Sequence, residues 1–279
     1  MSTPSGNGSR SPGSVGADER RPSRPQLRQP LIAELIADSI RDRILKGEYD
    51  DVESLPKQED LLEEFNVSKP SIREALRILE TEGLIRVRRG SQGGAAIHLP
   101  ESRDAAYMLG LVLQSKRVGV EDVGGALRRL EPACAALCAE HDDRSGIVEE
   151  LRRIHADAVG AVADEIEFVH QMRRFHEAIV EACDNETLKV LVGSLTAIWS
   201  AEERAWARSS AGSAQYPGID MRREGLRAHE RLIELIADGN SDGVMRSSYG
   251  HLCASQVYTL SSSASAVVDA SMLRRHQSG

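Results

Sequence analysis

The chain has no uninterrupted run of about 18 apolar residues, which excludes a membrane-spanning helix. Its four cysteines, Cys134, Cys138, Cys183 and Cys253, make neither a CxxC pair nor a dense framework, and Cys134 and Cys138 lie one helical turn apart among alanines, as small core residues do. Residues 1–30 lack the apolar stretch of a secretory signal. These absences predict a reduced, cytoplasmic protein with no membrane partner. Positive charge is not in excess: 35 Lys and Arg against 43 Asp and Glu leave a net −8, so any nucleic-acid surface must be local. No HExxH, nucleophile elbow or glycine-rich phosphate loop occurs, which removes the commonest enzyme signatures.

What remains is 279 residues, a length for about two domains. The hydrophobic share of 41% is slightly below that of a typical globular chain, and the deficit sits in residues 1–30, rich in Ser, Gly, Pro and Arg. That segment carries five arginines against two acids and reads as a disordered basic arm, either a solvated tail or a contact to DNA phosphates. From residue 31, Ile32, Leu35, Ile36, Ile40 and Ile44 recur at helical spacing up to Gly47. Leu55-Pro56 opens a second, short helix with Leu61, Leu62 and Phe65 inward; Asn66 suits a sharp turn. Ser68 is placed to cap a third helix, which carries Pro70 in its first turn and stops at Gly83. The period then changes: 84–88 and 95–99 read as a strand pair around a Gly-rich turn, closed by Pro100. Residues 101–260 show only helical patterns, seven in number, and the Ser-rich 261–279 read as a flexible tail. The predicted class is therefore mainly α: a DNA-binding unit over 31–100 and an all-helical bundle over 101–260.

On the third helix Ile72, Ala75, Leu76 and Leu79 share the inward face, which leaves Arg73 and Arg77 outward and Ser68, Lys69 and Ser71 at the N-terminus. The hairpin adds Arg86, Arg88 and Arg89. Residues 67–90 hold six basic and three acidic residues; residues 31–66 hold four and eleven. Positive charge is thus segregated onto one helix and one loop. A helix of this kind fits a major groove, where arginine bonds guanine at two points and the helix start holds phosphates.

In the bundle, His176, His229 and His251 each fall on an inward-facing side of a separate helix, and converging neutral imidazoles suit zinc or similar divalent metals. His155 reads as structural, His170 as outward, and His98, His141 and His276 as peripheral. Arg222 sits on the inward side of its helix, either solvated or pointing into a pocket; Arg128 reads as solvated. Trp199 and Trp206, seven residues apart, share one face, for core packing or to line a pocket.

The run from Leu55 to Ile85, above all Val67-Ser68, Arg73-Glu-Ala-Leu76 and Glu82-Gly83-Leu84, resembles the winged helix-turn-helix of GntR-family bacterial transcriptional regulators. The resemblance implies DNA contacts from Ser68, Lys69, Ser71 and Arg73, and from Arg89 and Gly90 at the wing tip. Members often carry Arg where this chain has Glu59, which leaves the operator sequence open. Residues 101–255, through Leu130-Glu131, Phe175-His176, Asn185, His229-Glu230 and His251-Leu252, resemble the FCD effector domain of the FadR subfamily. That implies a metal held by one Asp and three His beside a small carboxylate ligand, and gives Arg128 as the effector-binding arginine. Here Met172 occupies the Asp position: the pocket either keeps a three-histidine metal site or is metal-free and takes a larger acyl-CoA-like effector. The expectation is a metabolite-responsive repressor, a homodimer on a palindromic double-stranded DNA operator; the alternative is a hydrolase whose three histidines activate water.

Overall fold

The structure, a computed structural model, describes residues 32–50, 52–87, 94–213, 215–263 and 266–274. The basic arm and the wing-tip residues Arg88, Arg89 and Gly90 lie outside them, as does His276. In the N-terminal unit α1 (Ile32–Leu45), α2 (Gln58–Phe65) and α3 (Lys69–Thr81) precede a hairpin of β1 (Ile85–Val87) and β2 (Ala95–Ile97). The stripe of α1 that is buried is Ala33, Ile36, Ala37, Ile40 and Ile44. Ile32 and Leu35, expected inward, are 58% and 54% exposed. The buried stripe centres nearly half a turn away from Leu35, which leaves that larger residue outside. In α2 only Leu61 is fully buried, with Leu62 and Phe65 packed partly against the same core. Opposite them stand Ile72, Ala75 and Leu79 of α3, Leu76 being half-buried.

Two backbone positions set the corner angles. Asn66 ends α2 at φ 50°, ψ 50°, a left-handed conformation that Asn tolerates. Gly83 follows α3 at φ +81°, where a side chain would be strained. The hairpin is antiparallel with Ile85 opposite Ile97, and Leu55 and Ile97 bond the 53–55 segment to the outer edge of β2. Acids of this unit are spent on its own scaffold: Arg41 pairs with Asp38 and Glu82, and Arg43 with Glu48 and Glu64.

The bundle consists of α4 (Ser102–Ser115), α5 (Val120–Glu140), α6 (Arg144–Gly160), α7 (Glu165–Ala182), α8 (Glu186–Ser210), α9 (Ile219–Ala237) and α10 (Ser241–Ser263). Helix α5 is central and packs on α7, α8, α9 and α10. Its Cys134, Ala135, Cys138 and Ala139 are buried and small, so neighbouring helices approach closely. The tail departs from the expectation of a flexible end. Val268 and Ala270 are 1% exposed, Leu273 is 6% exposed, and Val120 N–H donates to Ala266 O while Val268 N–H donates to Val118 O. Ser-rich composition at 261–265 concealed three apolar side chains that seat beside α4 and α8, with a last turn, α11 (Ser271–Arg274).

Candidate metal centre and DNA face

On α3, Arg73 and Arg77 are exposed, as are Ser68, Lys69 and Arg86, while Ser71 is half-exposed. Arg77 is already engaged: its guanidinium donates to both carboxylate oxygens of Glu74 at 2.6 and 2.9 Å, which holds the Glu74 carboxyl below its usual range. Ser68 occupies the N-cap position, but its hydroxyl pairs with Ser71 Oγ at 3.0 Å instead of taking a backbone N–H. The first amide groups of α3 therefore lack the side-chain acceptor that usually satisfies them. Glu59 is exposed at the start of α2.

In the bundle, α7, α9 and α10 bring His176, His229 and His251 together. Their Nε2 atoms are mutually close: 3.0 Å between His229 and His251, 3.3 Å between His251 and His176, and 3.4 Å between His229 and His176. Tetrahedral zinc with bonds of about 2.0–2.1 Å requires ligand nitrogens roughly 3.3–3.4 Å apart. The triad meets that spacing with no side-chain movement beyond a few tenths of an ångström. His229 and His251 are 0% and 8% exposed. Burial, reinforced by the neighbouring imidazoles, pushes His229 well below its ordinary value; burial and then His176 bring His251 down to about 3. Both are neutral at pH 7 and keep a lone pair to offer. For His176 burial acts downward, but the Glu131 carboxylate outweighs it and the net direction is upward.

Glu131, on α5 and 2% exposed, accepts from His176 Nδ1 at 2.5 Å. This bond turns the His176 Nε2 lone pair toward the other two, as a carboxylate behind a metal-ligating histidine does. Phe175 stacks on the His229 ring with centroids 3.8 Å apart, fixing that imidazole from one face. Residue 172 offers no carboxylate: Met172 is half-buried, close to Gly225 of α9. Beside the triad lies a cavity of about 60 Å³, lined among others by Glu131, His176, Thr196, Ser200 and Gln256. It adjoins a larger chamber of about 310 Å³ whose lining includes Phe168, Trp206, Tyr216, Met221 and Tyr258. Trp199 lines the small cavity and Trp206 the large one.

Arg128 departs from its reading as solvated, and Arg222 is buried rather than solvated. Arg128 is half-buried and donates to Gln256 Oε1, so it is not simply solvated. Gly124, Pro132 and Ala135 are buried on that side of α5, whereas Leu130 and Leu137 are only partly buried. Arg222 is 9% exposed, and its guanidinium is held by the carbonyls of Pro217 and Val162 at 3.0 and 2.6 Å. It lines the large chamber and also approaches Glu165 Oε1 at 3.5 Å. Among the other histidines, His155 is half-buried with Nδ1 unpaired, His170 is exposed and accepts from Arg173, and His98 faces Asp104. Sequence reasoning missed the part played by Glu131, and missed Thr196, Ser200, Glu203 and Gln256 altogether. The signal for Glu131 was present: a lone acid between Leu127 and Cys134-Ala135 on the buried side of a helix.

Comparison with known proteins follows the same division of the chain. Residues 32–93 match the model of the bacterial regulatory proteins of the gntR family, and residues 123–254 match the FCD domain. The HTH-type transcriptional regulator LutR of Bacillus subtilis (strain 168) is 26% identical over 219 residues, covering 75% of this chain and 92% of LutR. The HTH-type transcriptional repressor NanR of Edwardsiella tarda (strain FL6-60) is 35% identical over 82 residues, only 29% of this chain and 30% of that protein. The solved structure of Streptococcus agalactiae GntR superposes with a TM-score of 0.62 at 24% identity, over 80% of this chain and 98% of that one, which shows a shared fold. Among the described residues, no helix is long and apolar enough to cross a membrane. The family is one of transcriptional regulators, so the hydrolase alternative has no support. With a DNA-binding helix-turn-helix ahead of an effector-binding FCD domain, the chain belongs to the GntR family of bacterial transcriptional regulators.

Proposed function

We propose that this regulator is a cytoplasmic, metabolite-responsive repressor that binds a palindromic operator as a homodimer and holds a divalent metal, zinc or similar, between His176, His229 and His251. The observation that carries the metal is the mutual approach of three Nε2 atoms to 3.0–3.4 Å of one another, the spacing of three nitrogen ligands around a tetrahedral zinc. Once bound, the metal supplies a positive, Lewis-acidic centre to which an effector oxygen can attach. Glu131 orients His176, Phe175 orients His229, and burial keeps His229 and His251 unprotonated. The effector is a carboxylate metabolite or an acyl-CoA-like molecule, and Arg128 approaches its pocket only through Gln256.

On the DNA side, Arg73 reads a base edge, Arg77 assists it, and Ser68, Lys69 and Ser71 hold phosphates at the start of α3. Arg89 and Gly90 reach the adjacent backbone from the wing. Effector binding releases DNA by favouring one spacing of the two recognition helices over the other, and it shifts the equilibrium only by its difference in affinity for the two. Metal content measured by mass spectrometry on protein purified without chelator, together with gel-shift titration on an inverted-repeat operator, tests both halves. Stoichiometric metal and saturable, salt-sensitive binding are expected; a metal-free protein ends the metal reading, and indifference to duplex DNA ends the repressor reading.

A further inference from the structure

The DNA-binding unit and the bundle have separate interiors. The core of the first ends at Ile97, and that of the second begins at Ala106. Among the described residues, none of α1, α2, α3 or the hairpin packs extensively on a bundle helix. No shared apolar face fixes one unit on the other, and units divided in this way ordinarily move against each other. Here the stretch between the two cores is tied at both ends by polar contacts instead. On the DNA side, His98 N–H donates to Leu84 O at 2.9 Å, which extends the hairpin by one residue pair. The His98 side chain donates from Nε2 to Asp104 Oδ2 at 3.2 Å, in the first turn of α4. The same oxygen accepts from Glu101 N–H at 2.9 Å, so Asp104 caps its own helix and holds the wing at one point. Between these ties Leu99 and Pro100 are exposed, but Pro100 fixes its own φ and confines Leu99 to extended backbone.

On the bundle side, α4 is seated on α8. Ser194, 3% exposed, places its Oγ 2.9 Å from Ser102 O and 2.6 Å from Val190 O, so its hydroxyl is shared between the two carbonyls. Ser102 Oγ donates to Lys189 O at 3.4 Å. Gly193 permits this approach: a Cβ there would stand 3.0 Å from Ser102 Oγ and 3.1 Å from Ser102 Cβ. The ties therefore run from the wing through His98 and Asp104 to Ser102 and Ser194, and they end on the helix whose Thr196 and Ser200 wall the histidine cavity. The consequence lies in DNA geometry. In an inverted repeat, each base pair added between the half-sites moves the second by about 3.4 Å and turns it by about 35°. A dimer whose DNA units hang on flexible tethers follows that movement. A dimer whose units are rigid arms does not, and it loses simultaneous engagement.

We propose that His98 and Ser194 are positioning residues that make this regulator select one half-site spacing: His98 clamps the wing to α4, Ser194 clamps α4 to α8, and Gly193 leaves the room for that seat. The proposal rests on the reading of the chain as a homodimer on an inverted repeat.

The full-length protein first selects a half-site from random duplexes. Fluorescence anisotropy then measures its affinity for that half-site alone and for inverted repeats of it with spacers of zero to six base pairs. Wild-type protein binds the best spacer about 100-fold tighter than the lone half-site, and one base pair more or less costs it about tenfold. His98→Ala with Ser194→Ala keeps half-site affinity within about twofold but lowers the cost of a wrong spacer to about threefold or less. His98→Gln, whose amide N–H stands in for Nε2–H, keeps the wild-type preference. Thermal denaturation reports the fold on the same samples. Should the double variant melt early, His98→Ala alone, a change at a half-buried site, carries the same expectation at smaller size. Folded variants that discriminate spacers as sharply as wild type, or that lose half-site affinity as far as repeat affinity, overturn the clamp and spare the dimeric reading. Wild-type protein that gains nothing from a second half-site at any spacer overturns the dimeric reading, and the clamp falls with it.

Discussion

His176 Nδ1 donates to Glu131 Oε1 at 2.5 Å across the α5–α7 interface, and the acid is almost fully buried. One contact therefore fixes both the rotamer and the tautomer of a histidine whose other nitrogen faces His229 and His251. Glu131→Gln keeps the volume and removes the charge. It should lower zinc affinity by about 10–100-fold with the fold intact. Competition titration against a chromophoric chelator, with circular dichroism as the control, measures this.

The three histidines also give the metal-free protein a pH dependence. The ordinary histidine value is 6.5; His229 lies well below it in the folded state and His251 at about 3, while His176 lies above it. Below pH 6.5 the unfolded chain therefore binds protons that folded His229 and His251 refuse, so their contribution is lost as pH falls. Each such histidine costs about 1.4 kcal/mol per pH unit across that window. His176 acts in the opposite sense: its stabilisation is fully present below pH 6.5 and is lost as pH rises through its raised folded value. Urea titrations from pH 7 to pH 4.5 should show the decline on the acid side, and His251→Gln should make it shallower.

Arg73 and Arg77 are both exposed on α3, but only Arg77 is tied to a neighbouring acid. Arg73→Ala should cost about 1–3 kcal/mol of operator affinity and relax specificity at one base pair. Arg77→Ala should cost less, because its guanidinium must first leave Glu74. Fluorescence anisotropy on operator variants separates the two; equal losses would argue that both arginines serve only the phosphate backbone.

The packed C-terminal segment predicts a stability effect far from either site. Leu273 is buried against the bundle, and Gly110 of α4 leaves room for it, with Leu273 Cδ1 only 3.0 Å from where a Cβ would stand. Leu273→Ala should destabilise the protein by about 2–5 kcal/mol, and Gly110→Val should disturb the same contact by overfilling it. Thermal denaturation reads both. A flexible tail would leave the melting temperature unchanged.

Local pattern was enough for much of this molecule. The turn at Asn66, the stop at Gly83, the outward Arg73 and Arg77 and the seven helices of the bundle all follow from spacing and turn chemistry within a few residues of each position. The three histidines were legible for the same reason, since each lies on the buried or half-buried side of its own helix. What the pattern could not supply is which helices meet. Glu131 finds His176 across 45 positions, Gln256 finds Arg128 across 128, and Ala270 N–H finds Gln114 across 156. A helical wheel assigns a residue to a side, but the choice of which side is buried belongs to the neighbours, and so Leu35 and Arg128 came out reversed. The cavities beside the triad, and the unpaired hydroxyls of Thr196 and Ser200, exist only because α5, α7, α8, α9 and α10 close around one space. Sequence alone set the character of each surface; packing at close range decided which of those surfaces became a site.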